Sequence, residues 1–439
     1  MISVSGNNWF EKKVSKNSLE KIKQDFNFSD ILSRLIISKQ FDHTEIFNIN
    51  NDFKVVNNFK NNDDFNKGIN LLNYSIKNKE TICILGDYDV DGSAATSLLA
   101  RFFNHINQPY FYYIPDRIKD GYGPSIKLFK KLVTRNPKLV IMVDCGSTAN
   151  DSINFLNDNK IKSLIIDHHE MKTPFPQSNA IINPKKKTGY EVYDYLCATS
   201  LTYFFLDNLI KKHKINFNLS NFLIYVLLAT VCDVMPLRKL NRIIALNVIN
   251  DFNIKNNLAI NILYELCKVD KIININNLGF LIGPIINSGG RLGKSNYAVE
   301  LLSSDDIDLV RSRCIQLIKL NEKRKKIETI ALNEIDLKKI ENNKKKVIVY
   351  YKSNINEGII GILAARLKDH FNKPSIVITN SNNILKGSCR STKNFNIGNV
   401  IKMLRDKKII ISGGGHNFAA GFTIKKSKVT TLENFILNY

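Results

Sequence analysis

The stretch TICILGDYDVDGSAATSLLA, residues 81–100, decides how the rest of the chain is read. Asp87, Asp89, Asp91 and Gly92 carry the D-x-D-x-D-G spacing with which an EF-hand calcium loop begins. The twelfth position of such a loop needs a bidentate Glu, and here it is Leu98. The flanks disagree as well. An EF loop joins two helices, whereas TICILG is a short apolar run rich in β-formers, and SAATSLLARFF after Gly92 sets leucines at helical spacing. The unit is strand, acidic turn, helix.

Working outward, the same unit recurs. KLVIMV (138–143) and IKSLII (161–166) read as further parallel-sheet strands with helical segments between them, and AIIN (180–183) follows. The first run ends on Asp87, Asp89 and Asp91, the second on Asp144, and the third on Asp167, His168 and His169. Open α/β sheets bind ligands beyond the carboxyl ends of their strands. One Asp after a strand is a common helix cap. Three successive strands delivering acids and a His pair to one edge predict a single polar cluster.

Residues 1–80 are polar and mixed, with one amphipathic piece, DILSRLIISKQF (30–41), and form an extension expected to pack on the first domain, 81–302. Residues 200–300 read as mainly helical, with Asp233 closing the apolar run FLIYVLLATVCDVMPL (222–237). A long solvent-bridging helix is expected over 303–343, capped by Ser304 or Asp305, with Ile307, Val310, Cys314 and Leu317 as its apolar stripe. Its KRKK (323–326) reads as a solvated face. A second, smaller α/β domain fills 344–439. Its strands are KVIVYY (346–351) and SIVIT (375–379), the latter continued by ILKGSCRS (384–391); its helix is EGIIGILAARLKDHF (357–371).

The 439 residues suffice for two or three domains at roughly 150 residues each. A hydrophobic fraction of 44% supplies an ordinary globular core. The net charge of +23 suits a polyanionic partner, although a chain loaded with Lys, Asn and Ile also reflects AT-rich coding. Seven cysteines form no C-x-x-C pair and no zinc spacing, so they read as thiols of a reducing compartment. The N-terminus has no apolar signal region, and the run at 222–237 is too short and too interrupted for a membrane span. A cytoplasmic protein with no membrane partner is expected.

Asp89, Asp91, Asp144, His168 and Asp233 make a ligand set of hard carboxylates with one imidazole and no thiolate. Such a set favours Mn²⁺ or Mg²⁺ over structural zinc. With a shared carboxylate it suits two ions about 3.5–4 Å apart, the arrangement that clamps an in-line phosphoryl displacement. So many acids packed together repel strongly without cations.

The motifs GDYDVDG (86–92), PDRIKDGYG (115–123), MVDCGS (142–147), IIDHHE (165–170) and IINP (181–184) resemble the DHH phosphoesterase superfamily. LATVCDVMPLRKLNRI (228–243), GGRL (289–292), EGIIGILAARL (357–367), KGSCRS (386–391) and GGGHNFAAGF (413–422) continue the match in order. Within the superfamily the chain is similar to the RecJ-type single-stranded-DNA exonucleases. The resemblance implies a DHH domain, a DHH-associated domain, and Mn²⁺-dependent hydrolysis of single-stranded DNA from its 5′ end in repair and recombination. It implies that Asp91, Asp144, His168 and Asp233 hold one Mn²⁺, with Mg²⁺ as the substitute ion. Asp89 then holds the second, with Asp144 bridging and Asp87 supporting, while His169 faces the scissile phosphate. It places Arg117, Arg291, Ser388 and Arg390 on the DNA backbone or its 5′ phosphate, and Gly413, Gly414, Gly415 and His416 in a phosphate-binding loop. Glycines there let backbone N–H groups approach a phosphate, and Arg forks pair with its oxygens. A single-strand-binding protein and a helicase are the partners it implies.

The chain departs from the family pattern at Ile355 and Asn356, where an aromatic and a His are usual, and at Ile285, where Arg is usual. The family usually appends an OB-fold, and the chain stops at Tyr439, soon after GFTI. A weaker single-strand grip and distributive digestion are the corresponding expectations. Two other readings compete. Oligonucleotide and cyclic-dinucleotide phosphodiesterases of the superfamily carry a His where this chain has Leu85. A non-catalytic nucleic-acid scaffold would have lost metal ligands, and this chain keeps them all.

Overall fold

The structure is a computed structural model and describes residues 2–4, 8–49, 54–117, 119–121, 123–342, 345–381 and 384–439. Ile118 and Tyr122 of the PDRIKDGYG motif, and Asn343 and Lys344 at the expected domain boundary, lie outside them. The chain forms two compact units, one of Met1–Val56 with Pro236–Asp251, the other of Asn57–Met235 with Phe252–Tyr439.

In the smaller unit, helices Lys16–Phe26, Asp30–Ser38 and His43–Phe47 gather around Phe28, Ile36 and Ile46. Asp42 and Glu45 form a capping box at the third helix, and buried Glu45 also pairs with Arg238. The division cuts the chain at other points than the expected 1–80 extension and 81–302 domain. Residues 57–80 belong to the larger unit, because helix Asp63–Lys77 buries Phe65, Ile69 and Leu72, whereas 236–251 belong with the N-terminus.

The larger unit begins with a five-stranded, wholly parallel sheet made of β1 (Ile82–Leu85), β2 (Tyr110–Tyr113), β3 (Leu139–Val143), β4 (Lys162–Ile166) and β5 (Ala180–Ile182), in the order β2-β1-β3-β4-β5. β1, β3 and β4 are buried along almost their whole length, as expected of continuous apolar runs in a parallel sheet. The aromatic edge strand β2 is the one the sequence reading lacks. Because the chain leaves β1 toward β2 on one side and returns to β3 on the other, a topological switch point falls between β1 and β3.

The second sheet has the order β6-β7-β8-β10-β9, from β6 (Ile348–Tyr351), β7 (Ser375–Ser381), β8 (Ile384–Arg390), β9 (Ser412–Gly415) and β10 (Ala419–Ile424). β8 does not continue β7 but folds back antiparallel to it, with Ser381 opposite Ile384. Helix Ile360–Phe371 covers one face through Ile360, Leu363 and Leu367 against Val377. Ile397, Val400 and Ile401 of helix Ile397–Asp406 cover the other against Cys389 and Phe422.

The connecting helix runs Ile307–Asn333 and is capped by Asp306, whose carboxylate accepts the N–H groups of Asp308 and Leu309. Asp305 instead holds Arg101 at 2.6 Å. The helix stops short of 343 because Ile335 turns into the core of the second domain, and a separate helix, Leu337–Asn342, follows. It does not bridge solvent. Val310, Cys314 and Leu317 are buried against helices Leu258–Leu266, Gly283–Arg291 and Asn296–Ser303, while Ile307 stays exposed. All seven cysteines are free thiols. No helix among the described residues is long and apolar enough to cross a membrane.

The acidic turn depends on one close approach. A Cβ at Gly92 would lie 2.5 Å from the Asp87 nitrogen and 2.7 Å from its Cα. Gly92→Ala is therefore expected to cost about 1–3 kcal/mol in urea unfolding, the range for overpacking. Gly414→Ala, with nothing within 4 Å of its added Cβ, should stay within about 0.5 kcal/mol of the parent.

Candidate active site and metal centre

Register brings the acids together. Leu85 pairs with Met142, Val143 with Ile166 and Ile166 with Ile182, so consecutive strands end at one level. The Asp144 N–H bonds to the Ile166 carbonyl and the Asp167 N–H to the Ile182 carbonyl, extending the ladders one residue beyond each strand. Asp144 adopts a left-handed φ of 60°, a conformation that carries a steric cost for a residue with a Cβ.

Helix Val90–His105 starts at the switch point. Asp89 is its N-cap, accepting the Gly92 N–H at 3.1 Å. The Asp91 carboxylate accepts the Ala198 and Thr199 N–H groups at 2.8 and 2.7 Å. It thus sits at the N-terminus of helix Ala198–His213, where the dipole favours an anion. Asp233 arrives from the C-terminal end of helix Leu223–Cys232. Val234 follows it in the left-handed region at φ 56° with its side chain exposed.

His168 lies at the centre. Its Nε2 is 3.3 Å from Asp144, 3.5 Å from Asp233 and 3.6 Å from Asp91. Potential ligand atoms fall into three overlapping groups: Asp91–His168–Asp233, Asp87–Asp89–Asp144 and Asp144–His168–His169. Among the described residues, Asp87 Oδ1, Asp144 Oδ1 and both His168 ring nitrogens are buried with no hydrogen-bond partner. Buried carboxylate oxygens and imidazole nitrogens without a hydrogen-bond partner fit divalent cations.

The electrostatics agree with the geometry. Burial, then mutual repulsion, raises the carboxyls of Asp87, Asp89 and Asp144 and pushes Asp233 up to about 8. Burial lowers His168 to about 4, leaving a neutral imidazole, which is the ligand form. His169 differs. Burial would lower it, but Asp167, accepting from its Nδ1 at 2.8 Å, raises it to about 9. Asp167 also accepts the N–H groups of Ser147, His168 and His169, and with His169 these outweigh burial to hold its carboxyl low. It orients the pair, and sequence reading did not assign it that role, although its place at the strand end was a signal.

Where the two domains of the larger unit meet, the arginines collect. Arg291, on helix Gly283–Arg291, donates to the Gly358 carbonyl at 3.1 Å. Burial, then the charges of Arg117, Arg390 and Arg324, lower it to about 10. Arg117 lies over the Tyr88 ring at 5.5 Å, and its carbonyl is 3.5 Å from the Lys386 Nζ. Arg390 and buried Ser388 share the β8 face turned toward helix Ile360–Phe371, near Gly361. Gly413, Gly414 and Gly415 form the exposed edge strand β9, and His416 begins the turn into β10. Arg324 was missed: it is largely buried, held by Asn321 and Glu328, so KRKK is not simply a solvated face. The departures Ile285 and Ile355 are both buried, so neither side chain is presented to a ligand.

Two family models match the chain, the DHH family N-terminal domain over residues 81–231 and the DHHA1 domain over 344–439. The single-stranded-DNA-specific exonuclease RecJ of Bacillus subtilis is 28% identical over 433 residues, covering 97% of this chain and 54% of its own. RecJ of Haemophilus influenzae is 30% identical over 383 residues, covering 82% and 66%. The chain thus spans between about half and two thirds of the length of these relatives. The solved structure of RecJ in complex with Mn²⁺ from Thermus thermophilus matches with a TM-score of 0.81 at 20% identity, over 97% of this chain and 61% of that one.

Asp233 and His169 both bind protons more tightly folded than unfolded, so each contributes stability that is lost as pH rises through its folded pKa. In chelator, the unfolding free energy should fall between pH 6.5 and pH 9, bounded by the ordinary His value and that of His169. Mn²⁺ should restore it at the alkaline end, since a ligand of the folded state alone stabilises that state. Urea titrations across that range check this, and a flat profile in chelator would contradict it.

Proposed function

This chain belongs to the DHH family, with a DHHA1 domain behind the DHH domain as in RecJ, and we propose that it is a metal-dependent nuclease that removes nucleotides from the 5′ end of single-stranded DNA. The observation that supports hydrolysis most directly is the cluster of buried carboxylates and imidazole that no donor reaches. Asp91, Asp144, His168 and Asp233 would hold one Mn²⁺ or Mg²⁺, and Asp89 the second, with Asp144 shared and Asp87 supporting. Such a pair supplies Lewis acidity and an activated water at neutral pH.

The chain's own groups do the rest. Asp167 fixes the His169 ring through Nδ1, and its cationic form is a donor for the scissile phosphate. Arg117, Arg291 and Arg390 repel one another where the domains meet. A terminal phosphate monoester, carrying close to two negative charges, relieves that repulsion better than an internal diester does. Polarity toward a 5′ end follows in this reading from Arg390 and Ser388 receiving that terminal group. The β9 glycines and His416 would hold the strand's backbone. By resemblance, the setting is DNA repair and recombination in the cytoplasm, beside a single-strand-binding protein and a helicase.

Single-stranded DNA labelled at either end, digested with Mn²⁺ and with EDTA, tests the reading. Mn²⁺-dependent release of the 5′ label first is expected, and cleavage of circular single strands would refute an exonuclease. Asp144→Ala should abolish hydrolysis with either metal, and near-normal rates would sink the shared-ligand assignment. Arg390→Ala should slow cleavage of 5′-phosphorylated DNA about tenfold or more, the 1.5–3 kcal/mol scale of a charged hydrogen bond, and affect 5′-hydroxyl DNA much less. Equal losses would show that Arg390 does not read the end.

A further inference from the structure

Three lysines follow β5, and only one is placed beside the site. Lys186 is tied to buried Asp64 at 2.7 Å, and Lys187 is exposed with its backbone in the left-handed region. Lys185 is held differently. Asn183, fully buried, donates to the His169 carbonyl at 2.9 Å and to the Ser147 hydroxyl at 2.8 Å. The same side chain accepts the Lys185 N–H at 2.9 Å and so caps the single turn Pro184–Lys186. One buried amide therefore links the His169 and Lys185 backbones, while the Lys185 ammonium moves on its own stem.

The Lys185 ammonium meets the Glu170 carboxylate at 3.1 Å. Glu170 directly follows His169, and its side chain is 67% exposed. The Lys185 charge also bears on His168 and Asp233 of the acidic cluster and on His416 of the second domain. A pair whose carboxylate is this solvated is weak, so another anion displaces the carboxylate at little cost. A lysine binds phosphate as a point charge on a flexible stem, which suits a diester whose position shifts as a strand advances.

We propose that Lys185 is a phosphate subsite of the DNA path, with Glu170 as its built-in competitor: an internal phosphodiester next to the scissile one displaces Glu170 from the Lys185 ammonium. This rests on the reading of single-stranded DNA as the substrate. It assigns Glu170 a second consequence, since a carboxylate beside the path weakens every strand that lacks a phosphate to displace it.

Binding of a fluorescent single-stranded oligonucleotide in EDTA, followed by anisotropy across a salt series, tests the subsite without turnover. Lys185→Gln should weaken binding about fivefold and reduce the log–log salt slope by about 0.7, the value for one lost phosphate contact on a single strand. Lys185→Arg should restore the slope. Glu170→Gln should tighten binding, and that gain should vanish in the Lys185→Gln background, because neighbours in one network are not additive. An unchanged slope in Lys185→Gln would overturn the proposal even if Mn²⁺-dependent cleavage fell, since that pattern marks a group that only positions His169. Equal tightening by Glu170→Gln in both backgrounds would also overturn it, showing that Glu170 repels DNA without acting through Lys185. If the parent chain binds DNA with these slopes but releases no end label, the nuclease reading fails and the subsite stands.

Discussion

Everything in the larger unit is arranged around a cost: several carboxylates and an imidazole share a buried volume at the carboxyl edge of a parallel sheet. Like charges so placed raise one another's pKa, and the surrounding fold offers only partial relief. Asp91 is answered by a helix N-terminus and Asp167 by three backbone N–H groups and His169. Asp87, Asp144 and His168 keep buried atoms that no described residue satisfies. Asp91 is satisfied by a helix and still lies 3.6 Å from the His168 Nε2, so hydrogen bonding to the fold and membership of the acidic cluster are compatible.

The arginines at the domain junction are the complementary case. Arg291 is a partly buried cation set among the charges of other arginines, and it donates to a backbone carbonyl instead of a carboxylate. A site poor in anions beside a site rich in them suits a ligand that carries negative charge and reacts at a cation-held centre. A phosphorylated strand end has both properties. Lys185 is joined through Asn183 to the His169 backbone, and its charge also bears on His416.

Much of this was legible in order along the chain. The strands β1, β3 and β4 stand where apolar runs end in acids, β5 stands at the run AIIN, and the Asp and His residues expected at one edge do meet there. The less legible parts were those whose signal is weak or shared. Edge strand β2 is written YFYY, aromatic on both faces and without alternation. The connecting helix was expected to run to 343, and only the burial of Ile335 in a core built from later residues shows why it ends at Asn333. Arg324 sat in a basic run like any solvated one, and its partners Glu328 and Asn321 are on the same helix at ordinary spacings.

By itself the sequence determined which local units form and what chemistry each carries: strand, acidic turn and helix, the His pair after a strand, the glycine run before a turn. These depend on periodicity and on residues a few positions apart, so they can be read from one stretch at a time. Only the tertiary structure decided which acids are satisfied and which are not, which arginines share one junction, and which of three consecutive lysines pairs with the residue after His169. Those properties depend on pairing between segments remote in the chain, as in Asp91 with Ala198 or Arg291 with Gly358. Burial then sets their energetic weight, because a charge or hydrogen bond removed from water counts for far more than the same group on a solvated face.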